Sequence, residues 1–370
     1  MKAVRSIEWR YFVAPVAGSG AGLLPTWLLL NQRDPTYDVV LFVLVPLIVG
    51  FVTSGVAMIG RQAVLSKLFT ISLFGLILFG VGILGFAMDG MICVALAAPL
   101  ALAPLLLGCW LAKEMFGPKY VARDPKPFLM VAFLVGVGAW DRLVDPNRAT
   151  QVEFASSVDI AASPQRVWKQ ILSLDVLPPA DDWVSKLGMA CPQTTKLKGQ
   201  GVGSVRECTL STGHMNERIT VWQPERRLGF VALNTPPPMT ELNPFREVHP
   251  AHLTERYYRV LYGEFRLEPL ADGRTRLSRI TRYEHRIGPA RYWTFWTNQV
   301  AFVAHRRVLD FLKAQSESSD QLARQTRPNL MADSPRIANR SLQTANFSRF
   351  VSPLTNLRRH EDRRTYFLIR

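Results

Sequence analysis

The sequence predicts two structural parts and a tail. An N-terminal bundle of four or five transmembrane helices comes first. An α+β domain follows, in which a curved antiparallel sheet wraps around a long C-terminal helix, and a disordered basic end closes the chain. Three observations carry this. Most long apolar runs fall before residue 141, and most of the charge comes after it. Near residue 151 the pattern changes from continuous apolar runs to alternation. The order from there is one strand, two helices, a meander of strands and one long amphipathic helix. The expected boundaries are 1–149, 150–315 and 316–370.

Four segments are long enough to cross a bilayer, whose apolar core takes about 20 helical residues. They are Phe12–Leu30, Val39–Gly60, Leu65–Met88 and Met91–Ala112. A fifth, Pro127–Trp140, is shorter and is followed directly by Asp141 and Arg142. Lys2, Arg5 and Arg10 precede the first span, and Lys113, Lys119, Arg123 and Lys126 follow the fourth; the connections near Asp38 and Asp89 carry little positive charge. Positive-inside bias therefore places the N-terminus and the 113–126 connection in the cytoplasm. The domain after residue 150 is then extracytoplasmic if the fifth segment spans, the expected arrangement, and cytoplasmic if it does not. The spans hold almost no ionisable groups, which argues against a transport path through them.

The alternating run VEFASSVDIA reads as the first strand. Ser163 and Pro164 open the helix SPQRVWKQILSL, with Val167, Ile171 and Leu174 on one face. A short helix around Trp183 follows. Strand-like runs then succeed one another through VGSVRECTLS, MNERITVWQP, RRLGFVALNT, RYYRVLYGEFRLEPL and RTRLSRITRYEHRI, joined in part by turns such as ADGR. A helix beginning PARYWTFWTNQVAFVAHRRV closes the domain. An antiparallel sheet with one apolar face needs a cover, and a single long amphipathic helix supplies it.

The formal charge of +15 divides as +4, +6 and +5 over the three parts, so no dense basic block marks a nucleic-acid surface. Membrane lipids are the expected partner. Four cysteines are too few for a disulfide framework; Cys191 and Cys208 pair only if the fold brings them together. From Ser316 onward the chain lacks a sustained period and any lysine, and reads as disordered.

Between two strands lies TPPPMTELNPFREVHPAHLTE, Thr235–Glu255. Long ordered loops in compact domains tend to be functional covers, and proline stiffens them. It is read as a lid or membrane-facing flap, with Met239, Leu242 and Phe245 as its apolar face and His249 and His252 bracing it. Pro250 breaks any helix that would align the two histidines, and zinc needs further ligands, so neither a metal nor a cofactor is expected. Glu284 and His285 are the acid–base candidates, although neighbouring strand residues face opposite ways.

The opening VDIAASPQRVWKQILSLD, the run GVGSVRECTLSTGHMNERITVW, and the element order resemble the START-like helix-grip superfamily. Within it the likeness is to the polyketide cyclase/dehydrase and lipid-transport group, in a membrane-attached bacterial subgroup, over about residues 150–315. The resemblance implies a hydrophobic cavity under the last helix, in a protein of a bacterial plasma membrane. Trp293, Trp296, Val300 and Val303 are then the apolar ligand contacts, with Arg206, Glu217 or Arg282 as polar anchors. The expected function is a tethered binding module for a lipid or other hydrophobic small molecule. The alternatives are an enzyme on a hydrophobic substrate (a cyclase, dehydratase or hydrolase) and a regulatory or assembly protein. The resemblance carries over no catalytic set.

Overall fold

The computed structural model describes residues 9–33, 35, 37–59, 63–117, 136, 149–174 and 176–331, the stretch 319–331 as helix backbone only. The fifth apolar segment lies outside the described residues save for Gly136. Bundle and sheet domain belong to one compact unit, Met1–Ala323.

Among the described residues, four helices are long and apolar enough to cross a membrane. These are α1 (Arg10–Leu30), α2 (Val45–Ala57, entered through a π-helical turn at Val40–Leu44), α3 (Leu65–Gly85) and α4 (Met91–Phe116). Their outward faces carry Phe12, Val16, Leu24, Phe74 and Ile77 exposed, a surface suited to lipid rather than water. Without a hydrophobic force between helices in lipid, close backbone approach holds such a bundle together. Gly50 and Gly108 provide it where α2 crosses α4. A Cβ on either would stand 2.2 Å from a carbonyl oxygen of the facing helix, that of Leu105 or of Leu47.

The second part begins with β1 (Thr150–Ile160), α5 (Pro164–Leu172) and α6 (Trp183–Lys186). Six strands follow: β2 (Pro192–Lys198), β3 (Val205–Leu210), β4 (Gly213–Gln223), β5 (Arg227–Ala232), β6 (Tyr258–Pro269) and β7 (Thr275–His285). They form one seven-stranded antiparallel sheet in the order β1-β7-β6-β5-β4-β3-β2. Gly273, with φ of +80°, turns the β6–β7 hairpin in a conformation that favours glycine. The last helix, α7 (Ala290–Met331), lies across the concave face. Its Val308, Leu309 and Leu312 join Ile160, Val167, Ile171, Ile219, Phe265 and Leu277 in the main core.

Alternate residues of β7 reach α7. Thr281 bonds His305, Tyr283 bonds Asn298, and His285 bonds Thr294, each at 2.8 Å. The helix runs past the expected boundary at 315. Ser316 is fully buried, and Glu317 accepts a hydrogen bond from the Ala161 amide at 2.9 Å, so contact with the β1–α5 connection carries it on. Cys93, Cys109, Cys191 and Cys208 are all buried and free, so Cys191 and Cys208 do not pair.

Candidate functional site

The loop between β5 and β6 is docked onto one end of the bundle rather than standing free. Its start is fixed within the sheet domain: Thr240 donates to Gly188 O at 2.8 Å, and Ala190 donates to Pro238 O at 2.9 Å. Beyond that it meets the α3–α4 turn. The first amides of any helix lack partners inside it, and a carboxylate beside them is favourable. At α4 the Glu241 carboxylate fills this role, accepting from Cys93 N at 3.0 Å and Ile92 N at 3.2 Å. Met91 N donates to Leu242 O at 2.7 Å, and the Asn243 amide donates to Leu84 O and Asp89 O. Gly90 is required by this approach, because a Cβ there would lie 2.0 Å from Glu241 Oε2.

The α1–α2 connection joins the same junction. Gly288 N donates to Tyr37 O at 2.7 Å, and the Tyr257 hydroxyl donates to Pro35 O. From α7, the Tyr292 hydroxyl donates to Leu96 O at 2.5 Å. His252 sits in a single 3-10 turn, Ala251–Leu253. Its ring lies edge-on to Tyr37 at 4.7 Å, and its Nε2 is 3.0 Å from Cys93 Sγ. Burial dominates the electrostatics here. It pushes Asp89 up to about 7, holds Glu241 above the usual carboxylate range, and pushes His252 down to about 4. The donor atoms of Asp89, Cys93, Glu241 and His252 lie within 4.8 Å of one another.

These groups stand at one end of a cavity of about 600 Å³ that runs down between the helices. Leu30, Leu76, Phe79, Val94 and Ala98 form its apolar walls, and Ile287 and Trp293 of the sheet domain close its near end. Tyr37, Asp89, Cys93 and His252 supply polar atoms at that same end. Thr26 also lines the cavity, but its hydroxyl is bonded to Gly22 O of its own helix at 2.8 Å.

This large cavity therefore lies in the bundle, at the junction with the sheet domain, rather than between α7 and the sheet. Trp293 lines it and packs on Phe42, ring centroids 5.1 Å apart. Val300 and Val303 pack instead against the junction cluster of Ile92, Cys93, Met239 and Leu253. Trp296 is half-buried beside Tyr292 and Phe295. Of the loop residues, Met239 is buried, whereas Leu242 and Phe245 are 46% and 61% exposed. His249 points outward near Glu247, and only His252 braces the junction.

Glu284 and His285 do not form a dyad. Glu284 pairs with Arg259 at 3.0 Å on one face of the sheet, and His285, held uncharged by burial, bonds α7 from the other. Arg282 lies on the outer face, paired with Glu153 at 2.5 Å, and is no interior anchor.

Arg206 and Glu217 do meet inside the sheet domain. They are opposite each other in the β3–β4 register and form a buried pair at 2.5 Å. The Arg206 guanidinium stands 4.8 Å over the Phe230 ring. Arg279, absent from the sequence-based candidates, approaches the same space. Burial, then the charge of Arg206, pushes it down to about 10. Its Nη1 is enclosed without a hydrogen-bond partner, as are Ser156 Oγ, which belongs to its cross-strand neighbour, and His305 Nδ1. Sequence reasoning also missed Tyr37, Asp89, Cys93 and Glu241. The one available signal was an aspartate in a tight turn directly before an apolar helix.

Residues 151–317 match the family model described as polyketide cyclase/dehydrase and lipid transport. Among solved structures, a structural-genomics protein from Nitrosospira multiformis is similar at 16% identity, covering 46% of this chain and 99% of its own, with a TM-score of 0.30. A point mutant of norcoclaurine synthase from Thalictrum flavum, in complex with a transition-state analogue, is similar at 12% identity, covering 47% of this chain and 98% of its own, TM-score 0.31. The Zhui aromatase/cyclase from Streptomyces sp. R1128 is similar at 15% identity, covering 46% of this chain and 94% of its own, TM-score 0.30. No curated protein sequence matches the chain.

Proposed function

We propose that the protein, whose residues 151–317 match the polyketide cyclase/dehydrase and lipid-transport family model, is a membrane-embedded binding module for an amphiphilic, lipid-like molecule. The apolar part of the ligand lies in the cavity between α1, α3 and α4, and its polar end meets Tyr37, Asp89 and His252 under the sheet domain. One observation carries the reading. A cavity of about 600 Å³ has apolar walls, and Tyr37, Asp89, Cys93 and His252 gather at the end roofed by the domain. That volume is in the range of ligand pockets. An acyl tail gains little on leaving the bilayer for another apolar space, so discrimination rests on the polar end.

The docking also bears on sidedness. The domain is held by the α1–α2 connection and the α3–α4 turn. The opposite end of the bundle carries Arg10, bonded to Ile59 O, together with Lys67 and Phe116. With the N-terminus and Lys113 cytoplasmic by charge, the domain lies on the extracytoplasmic side. Labelling an exposed Leu242→Cys from outside intact cells checks this.

To test ligand binding, full-length protein purified from membranes is released into native mass spectrometry. A retained lipid-like adduct is expected, and Ala98→Phe, which fills the cavity, should remove it without lowering the melting temperature. An unliganded wild-type protein, or an adduct untouched by Ala98→Phe, sinks the proposal.

A second reading, cyclase-type chemistry on a hydrophobic substrate, is favoured by the enclosed, unpartnered atoms of Ser156, Arg279 and His305 inside the sheet domain. An Arg279→Met variant that turns over every substrate accepted by the wild type would remove that support.

A further inference from the structure

The polar cluster between loop and bundle has the composition of a metal site. Asp89 and Cys93 come from the bundle, Glu241 and His252 from the loop, and their donor atoms lie within 4.8 Å of one another. Cys93, Glu241 and His252 are buried, and the Asp89 side chain keeps 15% of its surface. His252, only 6% exposed, has an enclosed Nδ1 without a hydrogen-bond partner, 3.8 Å from Asp89 Oδ2. A buried polar atom left unmade costs about 1–3 kcal/mol, so that nitrogen points to something it would bind. The Glu241 oxygens each accept one amide and keep a second lone pair. Two carboxylates, a thiol and an imidazole packed together out of water form a donor set that a divalent ion would hold. The single thiol and imidazole select a borderline transition metal over magnesium or calcium, which prefer oxygen alone.

We propose that Asp89, Cys93, Glu241 and His252 bind one zinc-class divalent ion, which fastens the sheet domain to the membrane bundle. Binding requires Cys93 as thiolate, so the ion displaces its proton to solvent. The lone H-x-x-H pattern hid the site, since His249 points away and the partners of His252 are 163 and 159 residues upstream. The site shares Asp89, Cys93 and His252 with the polar end of the cavity, but metal content and lipid retention are read separately.

The test uses full-length protein in detergent, stripped with a chelator and titrated with zinc or cobalt(II). Metal per chain is read by mass spectrometry, and cobalt by its absorption. One ion per chain is expected, with a thiolate-to-cobalt band that disappears in Cys93→Ser. His252→Gln should weaken zinc at least about tenfold, while His249→Ala leaves it unchanged. Chelation should lower the melting temperature of the wild type. Substoichiometric metal in the refilled wild type, or a cobalt spectrum without a thiolate band, overturns the proposal. Both readouts need only the wild type, so a variant that fails to fold does not shelter it. A protein that binds zinc but carries no lipid would refute the cavity reading alone.

Discussion

Replacing Glu217 with leucine should be among the most damaging single changes in the sheet domain. The carboxylate is buried, 2.5 Å from Arg206 Nη1, and it also feels the charge of Arg279. Its loss leaves two guanidinium groups enclosed without their counter-charge. Breaking a buried pair from one side costs about 3–5 kcal/mol. For a domain of this size that corresponds to a fall of roughly 6–20 °C in melting temperature, at about 2–4 °C per kcal/mol. Arg206→Met should cost less, because Glu217 then still faces Arg279. The double variant Arg206→Met with Glu217→Leu should recover much of the loss, since a packed apolar pair takes the place of a desolvated ionic one. Tryptophan fluorescence reports the melt, with Trp168 and Trp222 in edge contact at the core. The reasoning fails if Glu217→Leu melts with the wild type, or if the double variant is as weak as the worse single one.

Two further outcomes follow from the geometry. Gly50→Ala or Gly108→Ala should force α2 and α4 apart at the 2.2 Å approach, lowering the melting temperature of the detergent-solubilised protein by several degrees, about 1–3 kcal/mol of overpacking. Acid should loosen the domain through His285 and His305, both held uncharged by burial, with His305 pushed down to about 2 by burial and by Arg279. An unfolded histidine takes up its proton near pH 6.5, so the unfolded chain binds more protons below that value. Stability is then complete above pH ~6.5 and falls with decreasing pH, by about 2 kcal/mol for His305 between pH 6.5 and 5. Urea midpoints at pH 7.5 and 5.0, with His305→Gln flattening the difference, check this.

The parts of the fold governed by local pattern were legible. Met91 begins α4 and Leu65 begins α3 as expected, because Gly90 and Val64 are extended residues placed before long apolar runs. Asp272 and Gly273 form the hairpin they signal. Strand parity was too even to rank Arg206, Glu217 and Arg282, and only the register separates the inner pair from the outer residue. Val300 and Val303 showed that α7 has an apolar seam, but not that the seam meets Ile92 and Met239. Asp89 and Glu241 were invisible together because their meeting depends on how two independently patterned parts dock. No spacing in a sequence records that.

The hydrogen bonds from Ile92 and Cys93 to Glu241 span 149 and 148 residues. They place a constraint on biogenesis. A ribosome adding about 5–20 residues per second delivers Glu241 about 7–30 s after the start of α4 is made. During that interval α4 is a membrane helix whose first turn has no carboxylate cap. The cap on the first turn of α4 is therefore complete only once the loop that carries Glu241 has been made.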